Sequence, residues 1–547
     1  MWEVKQIAAT LLVAGSLACL GAGSAWSAGR AKVDIIVPAS AMHGVHGLAI
    51  GPDDAIYACS LTGHSIYRID RASGQVTTHV GPPRGTCDDL AFGPDGTLAW
   101  TAGGFASVLA RGADGRIATL ASDMTGLNSI NYSKDGRLFV TRIFGGDGLY
   151  EIDPTGQSAP RAVVEKIGGL NGFEIRDGAL YGPLFFKGKV VKIDIESGAM
   201  SDVAGGFMQP AAVNFDPQGR LIALDYTTGE VMRIEGEQRR LLATLPPPID
   251  NLAIAPDGKI FVSSSAYNGI TEIDPDTLAT RRLTWGGLSA PGAVTVGTIG
   301  GRETLFVADA WGPRTVDPAT GAVTALPRTP GVAGATSLAV DGDRFLLANV
   351  WPFGVVQVVD RANNKLMANL PGFGAPYDVR PVADGFIVAD YKADRIVHVG
   401  NDKDNTRRPW PANLEGPVGL ADAGGGFFYV TEYGKRDKRG RYLNGMISRV
   451  DSRDGARTVV ARKLNRPEGI AVGADGRLIV AETGAQRVVA IDPAGKRKPE
   501  TLADHLALGL DVGDHVAAPF LPTGVAVGAD GAIYVTGDVD NVVYRIK

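Results

Sequence analysis

The sequence is short of cysteine, of net charge and of long apolar runs. Its 547 residues include 3 cysteines and carry a formal net charge of -5. So few cysteines disfavour a zinc site built on cysteine clusters, and the small charge gives no electrostatic footprint for nucleic acid or an anionic membrane surface. We therefore expect no nucleic-acid partner and favour a small molecule or a protein as the partner.

Several motifs of familiar chemistries are also missing. The sequence contains no Gly-x-x-x-x-Gly-Lys phosphate loop, no His-Glu-x-x-His helix, no Gly-x-Ser-x-Gly elbow and no dinucleotide fingerprint between a strand and a helix. Nucleotide-dependent reactions and serine-hydrolase catalysis are therefore disfavoured. Beyond residue 28 no apolar run approaches the ~20 residues that span a bilayer, so no membrane span is expected.

The first 28 residues are typical of a cleaved secretory signal peptide. Lys5 precedes an apolar run over 7–22, and small residues follow around Ala25 and Ala28. This pattern predicts an exported protein, either periplasmic or secreted.

What the sequence has in abundance is glycine, proline and a repeat. The 73 glycines and 32 prolines separate short branched apolar runs, which is typical of an all-β protein with many tight turns. Residues 249–285 hold one complete unit, with strands predicted at 251–255, 259–264, 270–274 and 279–284. A unit of about 40 residues with four strands is the signature of a β-propeller blade.

Twelve copies of this unit follow one another along the chain. In residues 46–289 the first strands begin near His46, Asp88, Asn128, Asn171, Ala211 and Asp250. In residues 290–547 they begin near Pro291, Thr336, Tyr377, Val418, Glu468 and Thr523. Twelve blades in one ring would leave a very wide hole, so the repeat predicts two tandem six-bladed propellers joined near 287–291, while seven plus five blades stays open as an alternative.

Residues 29–45 are predicted to act as an N-terminal closing segment. The last copy ends at Lys547 after its third strand, and the isolated strand Val33–Val37 could supply the missing outer strand. Addition of this strand to the first domain is the competing option.

Cys59 and Cys87 are the cysteines left after removal of the leader. Cys59 ends the second strand of one blade and Cys87 precedes the first strand of the next, so both fall on one face of a propeller. A disulfide between neighbouring blades is one option in an oxidising compartment, and two buried free thiols are the other.

The start of each first strand lies at one end of the central tunnel of a propeller, and most of these positions are polar in the first domain. They are His46, Asp88, Asn128, Asn171 and Asp250. Buried oxygens without a ligand are costly, and two carboxylates with two amide oxygens are the hard donors that Ca²⁺ prefers. We therefore expect a divalent cation there, with Ca²⁺ favoured. The equivalent positions of the second domain hold one charged residue, Glu468, which is too few for a cation cage.

At these positions the first domain resembles the SMP-30/gluconolactonase/LRE-like family of six-bladed calcium-dependent lactonases. Leu170-Asn171-Gly172 is similar to the asparagine metal motif of the family, Ile249-Asp250-Asn251 stands in the place of its aspartate motif, and Asn128 falls on its remaining asparagine. The resemblance implies a metal bound by Asp88, Asn171, Asp250 and His46. His46 departs from the family pattern, which has a glutamate there, and an imidazole suits Zn²⁺ or Mn²⁺ better than Ca²⁺.

The resemblance also implies a reaction and a pocket. The metal would polarise a lactone carbonyl and activate a water, and Asp250 or His46 would remove the proton of that water, so that the ring opens by hydrolysis. Aromatic walls with a few polar groups suit either a sugar lactone or a larger hydrophobic lactone. Substrate contacts are expected from Asn128, Arg142, Phe185 and Tyr267, and further wall residues are His64, Phe105, Phe144, Phe186, Lys187 and Asp225.

The second domain resembles NHL-type repeats. Its second strands end in a polar residue that is followed by a basic residue at the start of the third strand, which indicates a structural pair in each blade; these residues are Asp309, Asn349, Asp390, Glu432 and Glu482. Neighbouring aromatic residues would instead suit a face that binds a protein or a glycan, and they are Trp311, Trp351, Phe353, Tyr391 and Tyr433. A non-enzymatic exported scaffold is therefore the alternative to a lactonase, and a lyase acting on a cyclic ester is a third option.

Overall fold

A computed structural model describes residues 31–236, 238–326, 334–349, 354–435, 442, 444–513 and 520–547. The predicted leader, together with Trp351 and Phe353, lies outside these residues. Within them no helix is long and apolar enough to cross a membrane. The described residues form an all-β structure with three short 3-10 helices, Gly103–Phe105, Tyr391–Ala393 and Thr483–Ala485.

Residues 48–284 form six four-stranded sheets, each with its strands in sequence order. The strands are β2 (Leu48–Ile50), β3 (Ile56–Ser60), β4 (Ser65–Ile69) and β5 (Val76–Val80); β6 (Leu90–Phe92), β7 (Leu98–Ala102), β8 (Ser107–Arg111) and β9 (Ile117–Ala121); β10 (Leu127–Tyr132), β11 (Leu138–Arg142), β12 (Gly148–Ile152) and β13 (Arg161–Glu165); β14 (Glu174–Arg176), β15 (Ala179–Leu184), β16 (Lys189–Asp194) and β17 (Met200–Ala204); β18 (Pro210–Phe215), β19 (Leu221–Asp225), β20 (Glu230–Glu235) and β21 (Gln238–Thr244); and β22 (Leu252–Ile254), β23 (Ile260–Ser264), β24 (Gly269–Ile273) and β25 (Thr280–Thr284).

Residues 291–546 form six more sheets of this kind, the last of which includes the N-terminal strand β1 (Val33–Val37). The strands are β26 (Pro291–Ile299), β27 (Arg302–Asp309), β28 (Arg314–Val316) and β29 (Val323–Ala325); β30 (Ser337–Asp341), β31 (Arg344–Asn349), β32 (Val355–Asp360) and β33 (Leu366–Leu370); β34 (Pro376–Val382), β35 (Gly385–Asp390), β36 (Arg395–Gly400) and β37 (Arg407–Pro409); β38 (Pro417–Gly424), β39 (Phe427–Glu432), β40 (Gly445–Asp451) and β41 (Arg457–Leu464); β42 (Pro467–Val472), β43 (Leu478–Glu482), β44 (Arg487–Ile491) and β45 (Glu500–Ala503); and β46 (Val525–Val527), β47 (Ile533–Gly537) and β48 (Val542–Ile546).

The sheet of β22 to β25 illustrates why these residues form blades. Ala253 of β22 pairs with Phe261 of β23 in an antiparallel register, and Gly258 in the turn between them has a φ of 86°, in the left-handed region that favours glycine. Strand β23 is buried along its whole length because neighbouring sheets cover both of its faces. The four strands predicted in residues 249–285 are confirmed to within one residue at each end.

The first strands of neighbouring sheets contact one another and close two rings. In the first ring the order of contacts is β2, β6, β10, β14, β18 and β22, and β22 contacts β2 again. In the second ring the order is β26, β30, β34, β38, β42 and β46, and β46 contacts β26. Four-stranded sheets that contact one another through their first strands are the β-propeller arrangement, in which the first strand of every blade lies at the centre.

A hydroxyl group in the second strand bridges neighbouring blades. Asp89 N donates to Thr101 Oγ1 over 3.0 Å, and Thr101 Oγ1 donates to the Asn128 carbonyl over 2.5 Å. Thr431 Oγ1 donates in the same way to the Glu468 carbonyl over 2.6 Å in the second ring. These bonds fix where each first strand begins, and therefore where the polar side chains at the ring centre lie.

The N-terminal strand closes the second ring. Strand β1 pairs antiparallel with β48, with Val33 opposite Ile546, and Lys32 N donates to the Lys547 carbonyl over 2.8 Å. The last sheet thereby gains its fourth strand. Of the two options for this segment, the structure has the one in which the N-terminus reaches the second domain.

Cys59 and Cys87 form a disulfide between the first two sheets of the first ring. Their Cα atoms lie 4.9 Å apart, and Ser60 and Thr86 beside them form an isolated parallel bridge. Of the two options for these cysteines, the structure has the bonded one. The link joins β3 to the segment before β6, close to the start of the ring-centre strands.

The acids that end the second strands of the second ring hold their loops, as the repeat pattern predicts. Glu482 accepts a hydrogen bond from Asn465 N over 2.8 Å and from Arg487 Nε over 2.6 Å. Its side chain is 1% exposed, so this pair is structural. Equivalent pairs are Asp309–Arg314 and Asp390–Arg395, whereas Glu432 pairs with Arg457 of the fourth strand.

Replacing Glu482 by Ala should lower the free energy of unfolding by about 2 kcal/mol, because Asn465 N–H and Arg487 lose their acceptor. Urea unfolding followed by circular dichroism measures this change. Glu500 is the matched control, since it is an exposed acid of the same sheet that pairs with Arg477, and Glu500→Ala should cost at most about 0.5 kcal/mol. Equal losses in the two variants would contradict a structural role for the strand-end acids.

Candidate functional site

Three charged side chains from adjacent blades meet at one end of the first ring. His46 precedes β2, Asp88 precedes β6 and Asp250 precedes β22. His46 Nδ1 lies 2.9 Å from Asp250 Oδ2 and 3.6 Å from Asp88 Oδ1. The imidazole is therefore placed between two carboxylates, and it donates its Nδ1–H to Asp250.

Two asparagines extend this group around the ring. Asn128 Nδ2 donates to Asp88 Oδ2 over 2.6 Å. Ser129 Oγ lies 3.0 Å from Asn128 Oδ1 and 3.1 Å from Asn171 Oδ1, and so links the two amides. The structure thus brings together the five polar positions that the repeat aligns, which we call the polar cluster: His46, Asp88, Asn128, Asn171 and Asp250.

Backbone hydrogen bonds set the positions of these side chains. His46 N donates to the Cys59 carbonyl over 2.9 Å, and Asp250 N donates to the Ser263 carbonyl over 3.0 Å. Gly47 lets the first strands approach closely, because a Cβ atom there would lie 2.3 Å from a carboxylate oxygen of the next blade. The polar cluster is therefore built on the starts of strands, which position side chains more rigidly than free loops do.

Burial and charge shift the protonation of the polar cluster. Burial alone would lower the pKa of His46, but the carboxylates of Asp250 and Asp88 raise that pKa above its ordinary value. Burial raises the pKa of Asp88 to about 7, although the His46 charge and the Asn128 hydrogen bond oppose the rise. Near neutral pH Asp88 is therefore partly protonated, and it titrates together with the neighbouring His46 imidazole.

Access to solvent differs among the three charged groups. The side chains of Asp250, Asp88 and His46 are 23%, 14% and 8% exposed. His46 Nε2 is buried and has no hydrogen-bond partner among the described residues. Asp250 is therefore the most accessible of the three charged groups, and His46 is the least accessible.

A further carboxylate, Asp89, lies next to the polar cluster and is absent from the sequence-based prediction. Asp89 Oδ1 accepts from Leu90 N over 3.0 Å and from Asn251 Nδ2 over 3.1 Å. Asp89 belongs to the second blade and Asn251 to the sixth, so the second bond joins two blades that are separated by the first blade. Burial raises the pKa of Asp89 well above its ordinary value. The sequence did contain a signal for Asp89. The consecutive polar pairs Asp88-Asp89 and Asp250-Asn251 each place a second polar side chain one residue further along the chain.

The donor atoms of the polar cluster do not fit a divalent cation in this arrangement. Among the described residues, no group of three or more His, Cys, Asp and Glu side chains is placed to hold a metal ion. His46 Nδ1 fills the space between Asp88 and Asp250 that a cation would need, and Asn128 turns its NH₂ group, not its oxygen, toward Asp88. A metal at Asp88, Asn171, Asp250 and His46 therefore stays a prediction.

Two of the predicted substrate contacts, Arg142 and Tyr267, are held by neighbouring segments of their own sheets. Arg142 Nε donates to the Thr125 carbonyl over 2.7 Å and Arg142 Nη2 to the Gly145 carbonyl over 2.8 Å. Tyr267 stacks on Trp285, with ring centroids 4.8 Å apart. Both side chains thus have structural partners away from the polar cluster.

Some residues expected on binding surfaces are structural instead. Asp225 Oδ2 accepts a hydrogen bond from Met208 N over 2.7 Å. This is the usual role of an Asp side chain that binds nearby backbone. His64 is 2% exposed and packs on Phe520, with ring centroids 4.8 Å apart. Tyr433 was expected on an exposed face of the second domain and is only 2% exposed. These three expectations were wrong because packing within and between blades buries the side chains.

Three of the predicted aromatic walls, Phe144, Phe185 and Phe186, form a row with Tyr226 at the mouth of the first ring. The ring centroids of Phe144 and Phe186 lie 6.0 Å apart, those of Phe186 and Phe185 5.3 Å, and those of Phe185 and Tyr226 5.7 Å. Phe144 and Phe186 are 63% and 58% exposed. We call these four residues the aromatic row, and its outer two rings offer apolar surface to a ligand.

Comparisons with known proteins identify one repeat and distant structural likenesses. The NHL repeat family model matches residues 464–491, which confirms the NHL-type resemblance in that part of the second domain. A search of curated proteins found no match. Virginiamycin B lyase from Staphylococcus aureus is 15% identical, with a TM-score of 0.37, over 51% of this chain and 96% of its own. A gluconolactonase from Xanthomonas campestris is 16% identical, with a TM-score of 0.37, over 43% of this chain and 88% of its own. Likeness at this level assigns no function to the chain, and the SMP-30/gluconolactonase resemblance of the first domain stays a prediction.

Proposed function

We propose that the chain is an exported protein of two tandem six-bladed propellers, and that its first ring hydrolyses a lactone at the polar cluster. The observation that carries this proposal is the 2.9 Å hydrogen bond between His46 Nδ1 and Asp250 Oδ2, which orients the most exposed of the three charged groups. A carboxylate that is oriented by a second group and open to a small molecule is suited to general-base catalysis.

Asp250 is assigned as the general base. A water molecule between Asp250 and the substrate attacks the lactone carbonyl carbon while the carboxylate takes its proton. His46 is assigned as a positioning residue, because its Nδ1–H holds the Asp250 carboxylate and its Nε2 is buried away from the mouth. Asp250 is therefore the better choice of the two predicted bases.

Asn171 and Asp88 are assigned to the two oxygens of the ester. The Nδ2 group of Asn171 faces the developing negative charge on the carbonyl oxygen, because Asn171 Oδ1 already accepts from Ser129 Oγ and Gly172 N. Asp88, with a pKa of about 7, gives a proton to the ring oxygen as the ester C–O bond breaks. The product is a hydroxy acid, whose new carboxyl group releases one proton to solvent. The proton that Asp250 took passes back to Asp88, so both groups return to their starting state.

A divalent cation, with Ca²⁺ first and Zn²⁺ or Mn²⁺ after it, stays a separate proposal for this site. Its binding would require the His46 imidazole to leave the space between Asp88 and Asp250. The steps assigned above use only groups of this chain, and the assay below tests the metal independently.

The aromatic row favours a hydrophobic lactone over a sugar lactone. A Cβ atom on Gly169 would lie 2.6 Å from the Phe186 ring, and Asn171, two residues further on, belongs to the polar cluster. The row therefore begins beside the site. Because an apolar chain that covers Phe144 and Phe186 removes apolar surface from water, we propose a lactone with a long alkyl or acyl substituent as the substrate class.

Replacing Phe144 and Phe186 together by Ala should raise the KM for γ-dodecalactone about 10-fold and leave kcat within about twofold, because these rings bind the tail equally in the ground state and the transition state. The KM for D-glucono-δ-lactone should not change. Initial rates over a range of lactone concentrations measure both constants. Met367→Ala is the matched control, since Met367 is 59% exposed on the second ring. A loss of kcat for both lactones would contradict a role limited to the tail.

Proton release from lactones tests the proposed activity. The folded protein is mixed with γ-dodecalactone or D-glucono-δ-lactone, with added Ca²⁺ or with a chelator, and base consumption is followed at constant pH. Turnover of γ-dodecalactone above the rate without protein supports the proposal. No turnover of either lactone in either arm would refute it and favour the non-enzymatic scaffold. Turnover that is lost with chelator and restored by Ca²⁺ would assign a metal to the site.

A further inference from the structure

Trp311 of the second ring lies against His46 of the first ring. Trp311 stands in the loop between β27 and β28, and its ring centroid is 4.5 Å from that of His46, in an edge-on arrangement. Trp311 Nε1 donates to Thr62 Oγ1 of the first ring over 3.3 Å. The second ring thus reaches the polar cluster through the Trp311 side chain.

The loop that carries Trp311 is held firmly at the junction of the two rings. Ser289 N donates to Asp309 Oδ2 over 2.8 Å, and Trp311 N donates to Asp309 Oδ1 over 3.3 Å. Arg314, on the other side of Trp311, is 3% exposed and donates to the Ala266 carbonyl of the first ring. Trp311 therefore acts as a fixed wall and does not depend on a movable loop.

The first ring has a recess, formed by Gly44 and Thr62, that holds the Trp311 indole. Gly44 has a φ of 59°, and a Cβ atom at this position would lie 2.4 Å from Trp311 Nε1. Thr62, which receives the indole N–H, is itself fixed by donating its own hydroxyl to the His43 carbonyl over 2.7 Å. Any side chain at Gly44 would push the indole away from His46.

One polar atom next to this recess, His46 Nε2, has no hydrogen bond among the described residues. His46 Nε2 is buried beside Trp311 without a hydrogen-bond partner among the described residues, and such an atom typically costs about 1–3 kcal/mol. Because water is excluded from this edge of the imidazole, the hydrogen bond from Nδ1 to Asp250 is the polar contact that fixes the ring.

We propose that Trp311 is a positioning residue of the first-ring site: it holds the His46 imidazole on Asp250, so that the second ring completes the site of the first. This inference rests on the proposed function of Asp250 as general base. It gives the second ring a part in catalysis beyond any binding face of its own.

The test is Trp311→Ala, with Trp285→Ala as the matched control. Trp285 stacks on Tyr267, which lies under the Arg314 guanidinium at the same junction, 5.8 Å from its ring centroid. Trp311→Ala should lower kcat for γ-dodecalactone about 100-fold, as misplacement of a catalytic group does, and leave KM within about threefold. Trp311→Phe keeps a ring over His46 and should recover kcat to within about fivefold of wild type.

A kcat for Trp311→Ala within about threefold of wild type, or an equal loss in Trp285→Ala, would overturn the inference. A second readout does not depend on activity. In protein labelled with ¹⁵N-histidine, the ring ¹⁵N shifts of His46, assigned by their loss in His46→Gln, should change in Trp311→Ala and stay unchanged in Trp285→Ala. If wild type turns over no lactone, the proposed function fails, and this change alone would still support positioning of His46 by Trp311. Unchanged His46 shifts in Trp311→Ala would overturn it.

Discussion

Replacing Asp250 by Asn is expected to reduce kcat/KM for lactone hydrolysis by about 1000-fold, within the range for loss of a positioned general base. Asparagine keeps the size of the side chain and still accepts the hydrogen bond that spans 2.9 Å from His46 Nδ1, so the blade should keep its structure. The amide oxygen cannot take a proton from water, and the loss should therefore appear in kcat while KM stays within about threefold.

Asp257→Asn is the control for this substitution. Asp257 lies in the turn after β22, at the other end of the strand that Asp250 precedes, and pairs with Arg71 on the surface. This variant should keep full activity. Thermal unfolding of both variants shows whether the fold is kept, and a folded Asp250→Asn protein with wild-type kcat would remove Asp250 from the mechanism.

Replacing Glu468 by Gln is expected to make the protein much more stable in alkaline solution. Glu468 is 2% exposed, and burial raises its pKa to about 8. Its Oε2 accepts from Thr523 N over 2.7 Å, and its Oε1 lies 2.8 Å from the Thr483 hydroxyl and 3.2 Å from the Tyr433 hydroxyl. Glutamine reproduces the protonated acid, because its oxygen can accept from Thr523 while its NH₂ group donates to the two hydroxyls.

The direction of the effect follows from proton binding. The folded state keeps the Glu468 proton up to about pH 8, whereas the unfolded state releases it near the ordinary pKa of 4.5. Wild-type stability therefore falls as the pH rises between these values and does not recover above them. The pKa difference corresponds to about 5 kcal/mol. Glu468→Gln should match wild type near the lower value and exceed its free energy of unfolding by about 5 kcal/mol at about pH 9.

Urea unfolding of both proteins at a series of pH values measures this difference. Asp538, whose pKa is raised by burial to about 6, adds a smaller fall of the same sign to both curves, so the comparison at each pH reports Glu468 together with its repulsion by Asp538. Glu500→Gln changes an exposed acid of the same sheet and should leave the curve unchanged. Parallel curves for wild type and Glu468→Gln would show that Glu468 is already ionised in the folded protein.

The blades were predictable because each one carries its own local signals. A short apolar strand, a turn such as Pro256-Asp257-Gly258 and a second buried strand recur at every copy, and the strands of residues 249–285 lie within one residue of their predicted bounds. The partner of Val33–Val37 was not predictable in this way. Its pairing with β48 depends on where the N-terminus lies relative to the two rings, and no local pattern reports that.

The polar cluster was predictable because its residues hold the same position in each repeat. The contacts around the cluster were not predictable in this way. His46, Asp88 and Asp250 hold equivalent positions before their first strands, so closure of the ring alone brings them together. The bond between Asn251 and Asp89 crosses an intervening blade, and Trp311 arrives from the other ring. Both contacts depend on tertiary packing, which the order of residues within one repeat does not encode.

The fate of a water oxygen tests lactone hydrolysis at the polar cluster most directly. γ-Dodecalactone is incubated with the protein in ¹⁸O-labelled water, and the product is analysed by mass spectrometry beside an Asp250→Asn sample. We predict a hydroxy acid with one labelled oxygen in its new carboxyl group, formed by wild type and only at the background rate by Asp250→Asn. An unlabelled unsaturated acid would show elimination by a lyase. If no product forms above background, the non-enzymatic binding scaffold would be favoured. Either of these results would contradict hydrolysis by this site.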